Sequence, residues 1–408
     1  MIKSISINNF KSIVDLKLPV GRFNVLIGEN GCGKSNILEG IAFSTAALSN
    51  KLEREYFANR GIRYTDSKSV LSAFADSNRI NIEIDYDNII KKFSLYFDSN
   101  DKTGIWKIEE DKEKYLQTFK EYTGSDPDSY AKLMRQFIKR LNIVAQTINK
   151  DMSASDNEEI KKELEQIASE ITKNNEIINK GIKVSKEITD HLNFLIFSIE
   201  ESVLRKFNAE NAIYPLGRKG EGLFAYLKEI SQKDDGLEII NEIKENLYIL
   251  DWFDDLEIPA EQLSNEFSLK VRDRYVEDTL RSFDQRSTNE GFLYLLFYLT
   301  LFISDETPSF FAIDNIDASF NPKLCREITK RLISLAKKHN KQVIVTTHNP
   351  AVLDGLDISN DDERLFVVRR SIDGYTKINR VEYRTNGTNL PLSEAWLKGY
   401  LGGLPNNF

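Results

Sequence analysis

The chain has 408 residues, of which 41% are hydrophobic, with a formal net charge of -8, three histidines and two cysteines. That is enough apolar material for a large core in two or three domains, and the acidic balance, with a pI near 5.3, argues against a general nucleic-acid coat while allowing a local basic groove. Cys32 and Cys325 offer neither a disulfide framework nor metal-ligand spacing, so a reducing compartment is expected and a zinc site is not.

Residues 2–7 alternate apolar and polar, 8–12 read as a turn and 14–18 alternate again, which predicts a hairpin and no signal-peptide apolar stretch. Residues 23–27 read as a short buried strand, and 36–42 carry apolar residues at helical spacing. Between them, Gly28-Glu29-Asn30-Gly31-Cys32-Gly33-Lys34-Ser35 fills every fixed position of GxxxxGKS in the strand, loop and helix context that the motif needs. The three glycines let successive N–H groups face one anion, and the helix start adds its positive end. Asn30, Gly31, Cys32, Gly33, Lys34, Ser35 and Asn36 are therefore candidates for nucleotide binding, with Lys34 reaching the β and γ phosphates and Ser35 holding Mg²⁺.

Residues 53–63 read as a polar loop in which Arg60 and Arg63 are either solvated or in contact with phosphate. Two half-buried strands are expected between 80 and 97, forming an antiparallel sheet with the opening hairpin. From about 111 to 207 the chain is rich in Lys, Glu, Ile and Leu, and its best segment, 157–199, has apolar residues at spacings of three and four. Ser153 or Ser155 is a plausible cap there. This predicts an antiparallel helical pair inserted into the head, either a plain subdomain or a lobe for a partner or a second copy. The glycine-rich stretch 214–222 lacks a GKS ending and reads as a surface connector. Helix is expected again over 223–250 and an edge strand over 267–271.

Ser309-Phe310-Phe311-Ala312-Ile313-Asp314 is an apolar run closed by an acid, the way a central strand delivers a carboxylate to Mg²⁺. A helical pattern over 322–340 and a second apolar run, 341–346, complete a βαβ unit that ends in Thr347-His348-Asn349-Pro350. Upstream, Ser287, Asn289, Glu290 and Gly291 supply polar groups at the start of an apolar helix. That helical stretch, the most apolar in the chain at 292–303, is too short to span a bilayer. Residues 364–370 and 376–381 read as a basic hairpin around Asp373-Gly374.

In this order, Ile7-Asn8-Asn9-Phe10-Lys11-Ser12, the phosphate loop, the strand to Asp314 and the Thr347 to Pro350 block resemble an ABC-type ATPase head of the SMC, RecF and OLD class. The resemblance implies an α/β fold: a mixed sheet with flanking helices and an antiparallel β subdomain, carrying a helical or short coiled-coil insert. Residues 1–110 would be the N-terminal lobe, 111–207 the insert and 208–408 the C-terminal lobe. It further implies that ATP and Mg²⁺ are the cofactors, that Ser287, Asn289, Glu290 and Gly291 form a divergent signature donated to the nucleotide of a second copy, that residues 318–321 cross that interface, and that His348 senses the γ phosphate. Lys34, Asp314, Asp317 and His348 would be the catalytic set, with Ser35 and Asp314 on the metal.

One position departs from the pattern. Relatives usually follow the metal aspartate with a water-activating glutamate, but Asp314 is followed by Asn315. An amide cannot accept a proton near neutral pH, so hydrolysis is expected to be slow or absent unless Asp317 substitutes. Stand-alone OLD-like heads of this size resemble the ATPase components of bacterial anti-phage systems such as Septu and PARIS. The implied function is a cytoplasmic ATP-binding sensor or scaffold that dimerises on nucleotide and controls a separate nuclease, with no membrane association. The alternative is a RecF-like DNA-repair ATPase that binds duplex DNA through Arg364, Arg369, Arg370 and Lys377.

Overall fold

Five consecutive buried residues, Phe23–Ile27, form strand β3, which follows the hairpin β1 (Ser4–Phe10) and β2 (Ile13–Pro19) and leads through the phosphate loop into α1 (Lys34–Leu48). The computed structural model describes residues 1–97, 105–150, 158–206, 213–233, 236–258, 269–276, 282–284, 286–382 and 390–404. Phe23, Val25 and Ile27 face one core and Leu26 the other, because successive side chains of a strand alternate between its faces. Asn24, the one polar residue of β3, is buried and hydrogen-bonds Gly21 and Val343.

After α1 come α2 (Arg54–Arg60), β4 (Arg79–Tyr86), β5 (Ile89–Tyr96) and β6 (Lys107–Glu110). β1, β2, β4, β5 and β6 make an antiparallel sheet in the order β2-β1-β4-β5-β6. Helix α1 is buried under this sheet, and Gly40 lets it approach closely: a Cβ there would lie 2.9 Å from Ile7 Cδ1. The region read as a polar loop over 53–63 is instead largely α2. Its one strong anchor is Phe57, packed on Phe43 and Tyr64, and Gly61 (φ 89°) ends it in the left-handed conformation. Seven residues with a single buried aromatic give too little period to read.

The insert consists of α3 (Lys112–Thr123), α4 (Pro127–Lys150) and α5 (Glu158–Leu192), with α4 and α5 packed on each other as the spacing predicts. The Ser153 and Ser155 caps lie outside the described residues. The helix expected over 157–199 stops at Leu192, and β7 (Ile196–Phe197) joins the main sheet beside β11. Phe194 to Phe197 is continuously apolar, so nothing in its pattern separates a last helical turn from a short buried strand.

Beyond β7 run α6 (Glu201–Leu204), the connector, α7 (Leu223–Ser231), α8 (Gly236–Leu247) and a small antiparallel sheet of β8 (Phe253–Glu257), β9 (Lys270–Asp273) and β10 (Ser282–Asp284). β9 is the middle strand of that sheet, not an edge, and the Phe267-Ser268 part of the expected strand lies outside the described residues. The connector is tied down: Arg218 donates to Ala58 and Ile196 carbonyls, and the Ser198 and Glu200 amides donate to the Arg218 and Lys219 carbonyls.

The closing elements are α9 (Glu290–Ile303), β11 (Phe310–Ile313), α10 (Pro322–Lys338), β12 (Gln342–Thr346), a 3₁₀ turn (Pro350–Gly355), β13 (Glu363–Arg370), β14 (Thr376–Arg380) and α11 (Leu392–Leu397). The main sheet has the order β14-β13-β3-β12-β11-β7, parallel throughout except for β14. One face carries α7 to α10 and the other α1, so both faces are covered, as a parallel sheet requires. Among the described residues no helix is long and apolar enough to cross a membrane.

Candidate nucleotide site

The phosphate loop lies at the C-terminal end of β3, where parallel strands deliver their loops to ligands. Gly28, Gly31 and Gly33 have φ of 149°, 78° and 112°, which glycine adopts without strain. Gly28 and Gly33 are also glycine for want of room: a Cβ would lie 2.1 Å from the Val368 carbonyl oxygen and 2.0 Å from Thr376 Oγ1 respectively. Gly33 caps α1, so the amides of the first turn, including Lys34, Ser35 and Asn36, have no acceptor within the helix. Asn30 and Gly31 are exposed at the tip, and Cys32 is buried beneath it.

Lys34 folds over its own loop, donating to the Gly28 carbonyl at 2.7 Å and the Glu29 carbonyl at 3.1 Å. Burial lowers its pKa, while Cys32 and Asp314 oppose the shift. Asp314 leaves the end of β11 two strands away and accepts from Thr346 Oγ1 at 2.5 Å. Thr346 in turn accepts from the Asn315 amide at 2.8 Å. Asp317 accepts from Thr347 Oγ1 at 2.6 Å and the His348 amide at 3.4 Å. Partial burial and the Lys34 charge push the His348 pKa down, against Asp317 and Asp314. Lys34, Asp314, Asp317 and His348 thus lie within one electrostatic neighbourhood, built on the ends of β3, β12 and β11.

Of the two arginines singled out by sequence, only Arg63 is beside this site. Its Nε pairs with the buried Glu39, which also binds Lys11, and its guanidinium donates to Asn36 Oδ1 at 3.2 Å. Arg60 is turned elsewhere: it donates to the Leu192 carbonyl and stacks on Tyr56, and it lines a cavity of about 1060 Å³ at the opposite, N-terminal ends of β11 and β12. Arg60 is therefore not grouped with the phosphate loop.

The Ser287 to Gly291 stretch lies farther along the same sheet edge. Asn289 caps α9 by accepting from the Phe292 amide, Ser287 donates to Asp284, and Arg205, from just after α6, holds the Arg286 and Thr288 carbonyls. Gly291 packs toward the Ser319 carbonyl, 3.1 Å from a Cβ placed there. Its own neighbours are thus the loop after Asp314 and the β7 edge. Among the basic residues of the DNA alternative, Arg364 pairs with Asp361, Arg370 donates to the Gly31 and Gly374 carbonyls, and Lys377 sits over the Tyr375 ring.

Residues that the motif did not flag complete the site. Thr346 and Thr347 orient the two acids, and Ser12 and Thr376 hold the phosphate loop from below. The only sequence signal for them was the two threonines preceding His348 and the serine after Phe10-Lys11.

With this geometry in view, the family model described as "AAA domain, putative AbiEii toxin, Type IV TA system" matches residues 23–354. The chain belongs to this family. It is also similar to the chromosome partition protein Smc of Methanocaldococcus jannaschii, with 26% identity over 303 residues covering 68% of this chain and 23% of that protein. Against Smc of Methanococcus voltae the identity is 36% over 107 residues, 24% of this chain and 9% of that one. The chain therefore spans a quarter or less of the length of these Smc relatives. Among solved structures, an Smc head bound to the C-terminal winged-helix domain of ScpA superposes with a TM-score of 0.53 at 14% identity, over 94% of this chain and 98% of that one. The fold of this family member is that of an SMC/ABC-type P-loop ATPase head.

Proposed function

We propose that the chain is a cytoplasmic, ATP-binding head that pairs with a second copy when nucleotide is bound and controls a separate effector, a nuclease, in anti-phage defence, with slow or no turnover. The carrying observation is the convergence of Lys34, Asp314 and His348 at three strand ends of one sheet, next to an amide, Asn315, where a general base would stand. The residues present fit a magnesium nucleotide. Positive-φ glycines and free first-turn amides suit a phosphate chain, and Ser35 and Asp314 supply hard oxygen ligands. Bound Mg²⁺ would neutralise phosphate charge. The chain's own part is to hold the phosphates through Lys34 and the loop amides, to keep Asp314 oriented through Thr346, and to present His348 beside them.

Support for a partnered role comes from two sides. A head of this fold is seen bound to a separate protein, the winged-helix domain of ScpA, and the family description names a toxin of a toxin–antitoxin system, a two-part arrangement. The test is calorimetric titration with MgATP followed by steady-state phosphate release. Binding that Lys34→Ala weakens about a hundredfold, with turnover far below that of active SMC heads, is the expected result. Absence of MgATP binding by folded protein at millimolar nucleotide would sink the reading.

A further inference from the structure

The phosphate loop rests on a directed chain of hydrogen bonds that starts in another part of the sequence. Asn36 Nδ2 donates to Ser12 Oγ at 2.6 Å, Ser12 and Thr376 share a 2.7 Å contact between hydroxyls, and Thr376 Oγ1 donates to the Cys32 carbonyl at 2.9 Å. Because the Thr376 proton goes to Cys32, the proton between the hydroxyls must come from Ser12, so the order runs Asn36, Ser12, Thr376, Cys32. Thr376 is fully buried at the start of β14, and its own amide donates to the Ser12 carbonyl at 2.7 Å. Its hydroxyl occupies the space that a Cβ on Gly33 would take. The residue that sets the floor of the loop thus lies more than three hundred positions downstream of it.

The consequence is stereochemical. Across a planar trans peptide the carbonyl and the following N–H point in opposite directions. Fixing the Cys32 carbonyl toward Thr376 turns the Gly33 N–H away from β14. β13 and β14 cover one side of the loop, through the Val368 carbonyl under Gly28 and Thr376 under Gly33, so the Gly33 N–H points away from that covered side. Arg370 acts in the same sense one peptide earlier by donating Nε to the Gly31 carbonyl at 3.0 Å.

We propose that Thr376 is a positioning residue for the nucleotide: its hydroxyl, oriented by the hydrogen bond it accepts from Ser12, donates to the Cys32 carbonyl and locks the Cys32–Gly33 peptide so that the Gly33 N–H meets phosphate. This rests on the nucleotide reading above, and two readouts separate the fates of the two ideas. The first needs no nucleotide. In hydrogen–deuterium exchange of the nucleotide-free protein, Thr376→Val, which keeps the shape and loses the hydroxyl, speeds exchange in residues 28–36 at least fivefold, and Thr376→Ser does not. The second is MgATP and MgADP affinity, which falls about tenfold in Thr376→Val and is restored to within about twofold in Thr376→Ser. Unchanged exchange and affinity in Thr376→Val, or equal losses in Thr376→Ser, overturn the proposal. Should Thr376→Val not fold, Ser12→Ala removes the preceding donor and is expected to accelerate exchange in the same segment; no acceleration overturns the proposal. Altered exchange without any nucleotide binding by the native chain leaves the loop-locking role standing and removes the nucleotide reading instead.

Discussion

The proposed slow turnover rests on the residue at position 315, an asparagine. It follows Asp314, sits in the left-handed region at φ 60°, and is pinned through its amide to Thr346. Asparagine adopts that conformation more readily than a longer side chain does, so backbone and chemistry agree on an amide rather than a glutamate. The nearest carboxylate past it is Asp317, whose Oδ1 is already engaged by Thr347 and the His348 amide. Asp317→Ala is accordingly expected to change steady-state phosphate release by no more than about twofold. A drop beyond tenfold would make Asp317 the base and end the slow-clamp view. At this scale the sequence was legible wherever a motif fixes both spacing and residue type, as in 28–35, Asp314 and His348. It was silent on which of the two arginines flanking Gly61 turns toward the loop, because that depends on Glu39 drawing Arg63 in and on Leu192 and Tyr56 capturing Arg60.

Between elements, the insert and the head meet at a buried histidine. His191, in the last turn of α5, accepts or donates to Ser44 of α1 at 2.7 Å and Tyr86 of β4 at 2.9 Å, and its ring packs edge-on to Phe310. Burial, reinforced by the Lys91 and Arg60 charges, lowers its pKa from 6.5 to about 3. The unfolded chain therefore binds the proton first as pH falls, so the stability is fully present above about pH 6.5 and is lost below it, by about 1.4 kcal/mol per pH unit down toward the folded value. Melting temperatures between pH 7.5 and 5 should fall more steeply for the native chain than for His191→Asn, which has no such proton to take up; parallel curves would refute this. Within the insert, Gly181 of α5 faces the Tyr130 ring of α4, with a Cβ placed 2.2 Å from a ring carbon. Gly181→Ala, normally favourable in a helix, should here cost about 1–3 kcal/mol by overpacking. Adding Tyr130→Leu should cost less than the two single changes summed, measured by chemical denaturation. Long periodic elements such as α5, α9 and α10 were legible from the sequence because many residues repeat one signal. α2 and β7 were not, since each is defined by one or two residues whose burial is decided by partners outside the element, Phe43 for one and the distant β11 for the other.

Over the whole molecule, the main sheet orders its loops along one edge. The phosphate loop follows β3, the Thr347 to Pro350 turn follows β12, the Asp314 to Phe320 loop follows β11, and the Ser287 to Gly291 stretch is moored beside β7 through Arg205. Phosphate loop and signature-like stretch therefore sit at separate stations of one edge, with the acids between them. A chain arranged this way cannot apply its own α9 start to its own Lys34 without breaking the Arg205 and Ser319 contacts that hold it. A second copy turned by a two-fold axis can, since an isologous contact sets each station opposite its counterpart. Ser287 and Asn289 are exposed, as that arrangement needs. Ser287→Arg is expected to leave a chain that binds MgATP through Lys34 yet stays monomeric, whereas the native protein shifts to twice its mass with MgATP in light scattering coupled to gel filtration. If the native chain remains monomeric under saturating MgATP, the nucleotide must act within a single copy, and if Ser287→Arg dimerises as well as the native chain does, the Ser287 face is not where two heads meet.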